Sequence, residues 1–339
     1  MEANLSKFAG KTLNSSGDDC NALLTPPVAV TPQNTATPFL TTPVSVQVQS
    51  VLYNNDFEAI DRSVASLARS AELAITSGVC SKVLLRYGDS SSIPRLTTAE
   101  IAALNVTANG ILTIEYVHFG GNLGSARGHN QLAEESQADF LLIQNPDIVV
   151  APRLLETLLA PFSSPNIGMT EAKQLPIEHP KDYDPVTGET CWATTASAII
   201  PVPLFRQLKG FDAASFFLYC DDVDFSWRVR EAGFKVIFQP SAIVFHDKRL
   251  SPSGQWQPSE AEHYYSAEAA LFLAYKWSRP DLVKEYLNFF EQNGDSNQKK
   301  AAKLFSERYR NGELPEPRDH DHKIGQFVGT NYARHRYAL

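Results

Sequence analysis

Between Val44 and Leu159, strand-length apolar runs alternate with helix-period segments, and this alternation restricts the fold more than any other feature of the chain. Val44 to Leu52 alternates small apolar and polar residues as a strand does, and Asp56 to Ala74 carries Phe57, Ile60, Val64, Leu67 and Leu73 at helical spacing. Lys82 to Arg86 and Ile111 to Val117 read as further strands, His129 to Ser136 as a helix, Ala138 to Gln144 as a strand and Pro152 to Leu159 as a helix. Such alternation predicts an α/β fold with a mostly parallel sheet and crossover connections. Ligands of such sheets bind beyond the carboxyl ends of the strands, where Asn54, Asp89 and Asp147 fall.

The densest chemistry lies in Phe217 to His246. Gly210, Phe211 and Asp212 form a turn. Asp221, Asp222 and Asp224 then open a helix with Val223 and Trp227 on its apolar side and Arg228 and Arg230 on its polar side, and Gly233 stops it. Phe234 to Gln239 and Ser241 to Phe245 read as two short strands around Pro240, ending at His246. Asp221 as N-cap, with Asp224 three positions on, serves equally well as a capping pair at the positive end of the helix dipole. Capping does not need Asp222, which is therefore the stronger candidate for proton transfer.

Upstream of this stretch stand three more blocks: a strand ending in Tyr53 and Asn54, the glycine-rich run Gly121 to Asn130, and the strand Phe140 to Gln144 running into Asn145, Pro146 and Asp147. In this order the four blocks, spanning 44 to 250, resemble the family 2 glycosyltransferases, especially their rhamnosyltransferase-like branch. The resemblance implies a GT-A nucleotide-sugar-binding domain over 44–250. It also implies inverting transfer of a sugar, rhamnose among the candidates, from a dTDP-, UDP- or GDP-linked donor to a glycan or lipid-linked acceptor, with Mg²⁺ or Mn²⁺ as cofactor. Asp222 would then be the general base, with Asp221 beside it in the catalytic turn. Asp147 and His246 would hold the metal, and Tyr53, Asn54, Asp89, Gly124, Arg127 and Asn145 would meet the donor.

Several of these positions keep a second reading. Asn145-Pro146-Asp147 stands where the family commonly carries Asp-x-Asp, which leaves one acid for a metal, and the same tripeptide is strong turn chemistry. The family's Asp-Asn-Gly-Ser pattern can be laid on the Asp89 loop in two registers, one of which puts Arg86 where the acid belongs. His246 reads as a metal ligand, a donor to the diphosphate, or a satisfied histidine at a strand end. Gly121, Gly124 and Gly128 lack dinucleotide-fold spacing but suit a loop through which backbone approaches a diphosphate and then opens a helix, with Asn130 tethering that helix to the sheet. Met169 to Trp192, with Glu171, Lys173, Gln174, His179, Tyr183 and Trp192, reads as an acceptor-side segment or a surface loop.

Composition removes some function classes. A net charge of −8 argues against nucleic acid as the main partner, because phosphate backbones need a basic face, and leaves room only for a local basic groove. The four cysteines lack paired spacing for zinc or a redox dithiol. No apolar run approaches the roughly 20 residues of a spanning helix, and the N-terminus lacks a signal-peptide layout. The expectation is a cytoplasmic protein, with peripheral contact at the inner face of the membrane left open. Residues 1–43 read as an extended Pro/Thr-rich lead-in and 251–339 as a helical C-terminal region with a polar, partly disordered tail in which His320 and His322 are solvated. The aromatic helices from Ala267 to Trp277 and from Pro280 to Phe290 suit docking on the main domain, homo-oligomer formation or a membrane surface. Two rival classes are a non-catalytic sugar-nucleotide or glycan-binding relative and a nucleotidyltransferase. The second would need a basic loop near the first strand, and Asn54, Asn55 and Asp56 are followed by no lysine or arginine before Arg62.

Overall fold

The computed structural model describes residues 39–41, 43–246 and 259–334; residues 1–38, 42, 247–258 and 335–339 lie outside the described residues, and with them nearly all of the expected lead-in over 1–43. In chain order the elements are β1 (Val44–Leu52), α1 (Phe57–Thr76), β2 (Cys80–Asp89), α2 (Thr98–Thr107), β3 (Leu112–His118), α3 (Gly124–Ala133), β4 (Phe140–Gln144), β5 (Ile148–Val150), α4 (Leu154–Leu159), β6 (Ile167–Leu175), β7 (Glu189–Thr190), β8 (Ser197–Pro201), α5 (Val202–Gln207), α6 (Asp221–Glu231), β9 (Lys235–His246), α7 (Glu260–Lys276), α8 (Pro280–Asn293) and α9 (Ser296–Arg310).

Among the described residues one sheet runs in the order β3-β2-β1-β4-β8-β6-β9-β5, with β7 paired to β9. Its first half is parallel, as expected: β1 pairs with β2 and β4, and β2 with β3. Its second half is mixed, because β8 lies antiparallel between β4 and β6, and β5 runs antiparallel to β9. The parallel half places the ends of β1, β2 and β4 at one mouth, since a crossover helix returns each strand in the same direction.

Helix α1 shows why the layers form. Ile60, Val64, Leu67, Ala71 and Ala74 recur at helical spacing and are buried in a cluster with Val46, Val48 and Leu85 of the sheet. The opposite face carries Leu141, Ile143 and Ile200 against Phe205, Phe225 and Val229 of α5 and α6. A third cluster joins Val223 and Trp227 of α6 to Leu271, Phe272, Leu282, Phe290 and Phe305 of the C-terminal helices.

Four expectations are corrected here. Pro240 does not divide two strands: β9 runs unbroken to His246, and a register shift against β6 takes up residues 240–242 as a bulge, the setting in which a strand proline is tolerated. Arg228 is not on a solvated face of α6; it is buried and donates to Asp224 at 2.8 Å. The helix after the glycine run starts at Gly124 rather than His129. The final segment is not a loose polar tail over its described length, since Ser296–Arg310 is helical and Ile324, Phe327 and Tyr332 pack on the third cluster, Phe327 with its ring 5.2 Å from Trp227.

Candidate active site

The Asp89 loop is the first wall of the mouth. Asp89 ends β2 with no solvent exposure, and both of its oxygens are occupied: Oδ1 by the Ser91 N–H at 2.9 Å, Oδ2 by the Arg95 N–H at 2.6 Å and by the Tyr116 hydroxyl. Burial pushes this carboxyl up, but the hydrogen bonds from Tyr116, Arg95 and Ser91 outweigh it and hold Asp89 below the ordinary range. The loop so fixed touches its neighbours. Ser91 Oγ accepts from the Asn54 N–H at 2.9 Å, the Arg95 guanidinium donates to the Asn55 carbonyl, and Ser90 Oγ accepts from the Leu123 N–H at 3.3 Å. Tyr53 and Asn54 are exposed at the end of β1 beside it, Asn54 with φ of 55°.

The glycine run packs against protein. At Gly124, φ is 69° and an added Cβ would lie 2.3 Å from the Phe217 carbonyl oxygen. That same oxygen accepts from the Ser125 N–H at 2.9 Å. The close approach this glycine permits is therefore to the Phe217 backbone. Arg127 is exposed, with no ion-pair partner among the described residues. Asn130 is a tether, as expected, but to the turn before α6 rather than to the sheet: its amide donates to the Phe211 carbonyl and accepts from the Phe211 N–H, both at 2.8 Å.

The second wall is the start of α6. Two consecutive non-glycine residues, Tyr219 and Cys220, have φ of 70° and 56°. Left-handed backbone is costly for such residues and tends to persist where a site demands it. Cys220, not Asp221, occupies the N-cap position, and Asp221 is the first helical residue. The capping-pair reading fails for a second reason: Asp224 is fully buried and bound by Arg228, by Lys276 at 2.7 Å and by the Trp277 indole N–H at 3.1 Å. Asp221 is buried and accepts from Ser125 Oγ at 2.9 Å, which joins the helix to the glycine run. Asp222 is only partly buried; its carboxylate accepts from the Val223 N–H at 2.8 Å and from the Thr195 N–H at 3.4 Å. Burial pushes both carboxyls up, Asp221 further because Asp222 lies beside it, while Lys181 and the backbone N–H groups pull Asp222 back.

The third wall holds Asn145, Asp147 and His246. Residues 148 and 246 are cross-strand partners in the β5–β9 pair, which brings Asp147 Oδ1 to 3.7 Å from His246 Nε2. Asn145 Nδ2 lies 3.4 Å from the same ring nitrogen, and His246 Nδ1 lies 2.9 Å from Gln174 Oε1. With Nδ1–H donating to Gln174, the Nε2 lone pair faces the partly exposed Asp147 carboxylate. One carboxylate oxygen and one imidazole nitrogen suit a divalent cation whose remaining positions go to phosphate and water. Among the described residues no cluster of three or more His, Cys, Asp or Glu side chains forms a fuller cage.

The segment before β8 links the last two walls. The Asn145 N–H donates to the Ala196 carbonyl at 2.9 Å, while the adjacent Thr195 N–H faces Asp222. Asn145, which borders the Asp147–His246 pair, and Asp222 thus stand at the two sides of one short strap. Sequence reasoning missed Thr195, which acts through its backbone, and Ser125, whose hydroxyl has no local signature. It also missed the role of Gln174, because Ile167–Leu175 was not read as a strand ending at this mouth.

No family model matches the chain. Two Mycobacterium tuberculosis proteins match part of it. A pre-mycofactocin glycosyltransferase is 24% identical over 155 residues, covering 40% of this chain and 33% of that protein. An N-acetylglucosaminyl-diphospho-decaprenol L-rhamnosyltransferase is 29% identical over 143 residues, covering 39% of this chain and 44% of that protein. The chain therefore spans less than half the length of these curated relatives. Among solved structures, GalNAc-T7 with UDP, GalNAc and Mn²⁺ superposes with a TM-score of 0.56 at 14% identity, over 80% of this chain and 55% of that one. The mannosyltransferase PcManGT from Pyrobaculum calidifontis, in complex with GDP-Man and Mn²⁺, gives 0.51 at 16% identity, over 86% and 85%. The fold is that of the GT-A glycosyltransferases, and the resemblance to a family 2-like glycosyltransferase is borne out at that level.

Proposed function

We propose that this chain is an inverting glycosyltransferase that moves a sugar from a nucleoside diphosphate donor to a hydroxyl of a glycan or lipid-linked acceptor. One observation carries the reading: the Asp147–His246 pair, through Asn145, and the partly exposed Asp222 flank the same strap, 192–196, at the carboxyl end of the sheet. Glycosyl transfer needs these two elements together, one to neutralise a departing diphosphate and one to take a proton from the incoming hydroxyl.

Asp222 is the general base in this reading. Its place in the first turn of α6 favours the ionised form through the helix dipole, and the Thr195 N–H orients the carboxylate. Asp221 is turned away to Ser125 and aligns the turn rather than meeting substrate. Asp147 and His246 would hold a divalent cation, which when bound supplies positive charge to the leaving diphosphate. Tyr53, Asn54 and the Asp89 loop form the nucleotide end, where Asp89 shapes the loop with its oxygens engaged, and Gly124, Arg127 and Asn145 border the phosphates. A single displacement with no covalent enzyme intermediate inverts the anomeric carbon. The UDP and GDP-Man neighbours and the L-rhamnosyltransferase relative support a donor panel of UDP- and GDP-linked sugars, to which the family resemblance adds dTDP-linked sugars, rhamnose among them. No helix among the described residues is long and apolar enough to cross a membrane.

Thermal unfolding with UDP, dTDP and GDP, each with and without Mn²⁺, on the wild type and Asp147→Ala tests this. The expected result is a Mn²⁺-dependent rise with one nucleotide that the variant loses. No rise with any of the three would overturn the donor assignment and favour a glycan-binding module.

A further inference from the structure

Behind the strap lies a buried ion pair that the transfer mechanism does not use. Lys181 reaches inward from the loop after β6, with its side chain 2% exposed, and contacts Glu171, whose side chain is fully buried on β6. The lysine also donates to the Trp192 carbonyl at 3.0 Å and sits 3.9 Å from the centre of the Trp192 ring. Trp192 begins the strap. The next residue, Ala193, donates through its N–H to Ser226 Oγ at 3.0 Å, and the Ser226 hydroxyl lies 2.8 Å from the Asp222 carbonyl. Two residues further on is the Thr195 N–H that faces the Asp222 carboxylate. The strap is thus fastened to α6 on one side and to Lys181 on the other.

We propose that Lys181 is a positioning residue for Asp222: by holding the Trp192 carbonyl and ring it anchors the strap whose Thr195 N–H orients the Asp222 carboxylate. This rests on the reading of Asp222 as the base. A buried lysine is expensive unless something requires its charge. Its partner does not fully cancel it. One Glu171 oxygen has no hydrogen-bond partner, and burial pushes the Glu171 carboxyl up to about 8 against the pull of Lys181, with Glu178 adding to the rise. Among the described residues, the titratable groups at this corner include Asp221 on the same helix, Lys181 and Glu178 from the loop after β6, Glu171 from β6 itself, and His179, whose ring meets Trp192 edge to face at 5.8 Å; of these Lys181 acts on Asp222 to lower it.

The decisive variant is the double substitution Lys181→Met with Glu171→Gln, which keeps the volume of the pair and leaves no stranded charge. Asp222 is followed by ¹³C-carboxyl NMR titration of aspartate-labelled protein, its resonance assigned by its loss in Asp222→Asn. Nucleotide release from UDP-glucose, GDP-mannose and dTDP-rhamnose is measured across pH in parallel. In the double variant the Asp222 titration is expected to move to higher pH, and the acid limb of the rate profile to move with it. Activity would then fall more at pH 6 than at pH 8.5, while Mn²⁺-dependent nucleotide binding at pH 8.5 stays within twofold. An unmoved titration in a folded double variant, with Asp222→Asn inactive, overturns the role of Lys181 and leaves the base assignment standing. An active Asp222→Asn overturns the base assignment and this inference with it.

Discussion

Asp221 and Asp222 are neighbours on one helical turn, yet one is buried against Ser125 and the other faces the strap and the mouth of the sheet. This division predicts different phenotypes. Asp222→Asn should lower transfer by about 10²- to 10⁴-fold, the usual worth of a positioned base, and leave nucleotide-induced thermal stabilisation intact; steady-state rates with the stabilising donor check this. Asp221→Asn should instead change stability with pH. Its native carboxyl is pushed up to about 7, by burial first and by Asp222 second, above the ordinary value near ~4 of an unfolded chain. Its contribution to stability is therefore fullest below the unfolded value and is lost as pH rises through the native one. The variant should gain melting temperature relative to the wild type between pH 5 and pH 8, read by calorimetry at both ends. Gln174→Leu should weaken Mn²⁺ binding about 10- to 100-fold, as loss of a partner orienting a histidine ligand does, measured by electron paramagnetic resonance with the stabilising nucleotide present.

Elements rather than single residues decide how the walls meet. Helix α3 can start at Gly124 only because that residue has no Cβ to strike Phe217 and accepts φ of 69°. Gly124→Ala should cost at least ~2 kcal/mol, the left-handed conformation alone accounting for about 1–2 kcal/mol. Gly121→Ala, with nothing within 4 Å, should be close to neutral; urea unfolding of the pair makes the comparison. Much of this was legible in the chain. Val44 to Leu52 declared the first strand residue for residue, and the acidic turn before Trp227 declared α6, because period and helix-start chemistry are local. Helices α2 and α9 carry capping boxes at Thr97–Glu100 and Asp295–Gln298 that sequence reading could have used. The identity of the α6 cap was not legible, since it depends on Tyr219 and Cys220 adopting positive φ. Nor was the burial of Arg228, whose guanidinium reaches Asp224, the Leu208 carbonyl and the Phe225 ring.

At the scale of the whole molecule, the C-terminal helices share their interior with the site-bearing helix. Lys276 binds Asp212 and Asp224 at 2.7 Å each, Trp277 donates to Asp224, and the rings of Trp227 and Trp277 meet edge to face at 5.1 Å. The described residues from 39 to 334 cluster as one compact unit. Unfolding should accordingly show one cooperative transition by calorimetry. Lys276→Met should lower stability by about 3–5 kcal/mol, the cost of stranding buried charge, without separating a second transition. The pairing of Ile148 with His246 has a temporal consequence as well. Asp147 and His246 stand 99 positions apart in sequence, and they come together only when the last strand has joined the sheet beside β5 and β6. Loop closure over such a span comes late in a folding reaction. Capture of a metal ion between these two side chains would then act as a clock for assembly, marking the moment the sheet is complete and leaving the earlier stages of folding indifferent to the ion.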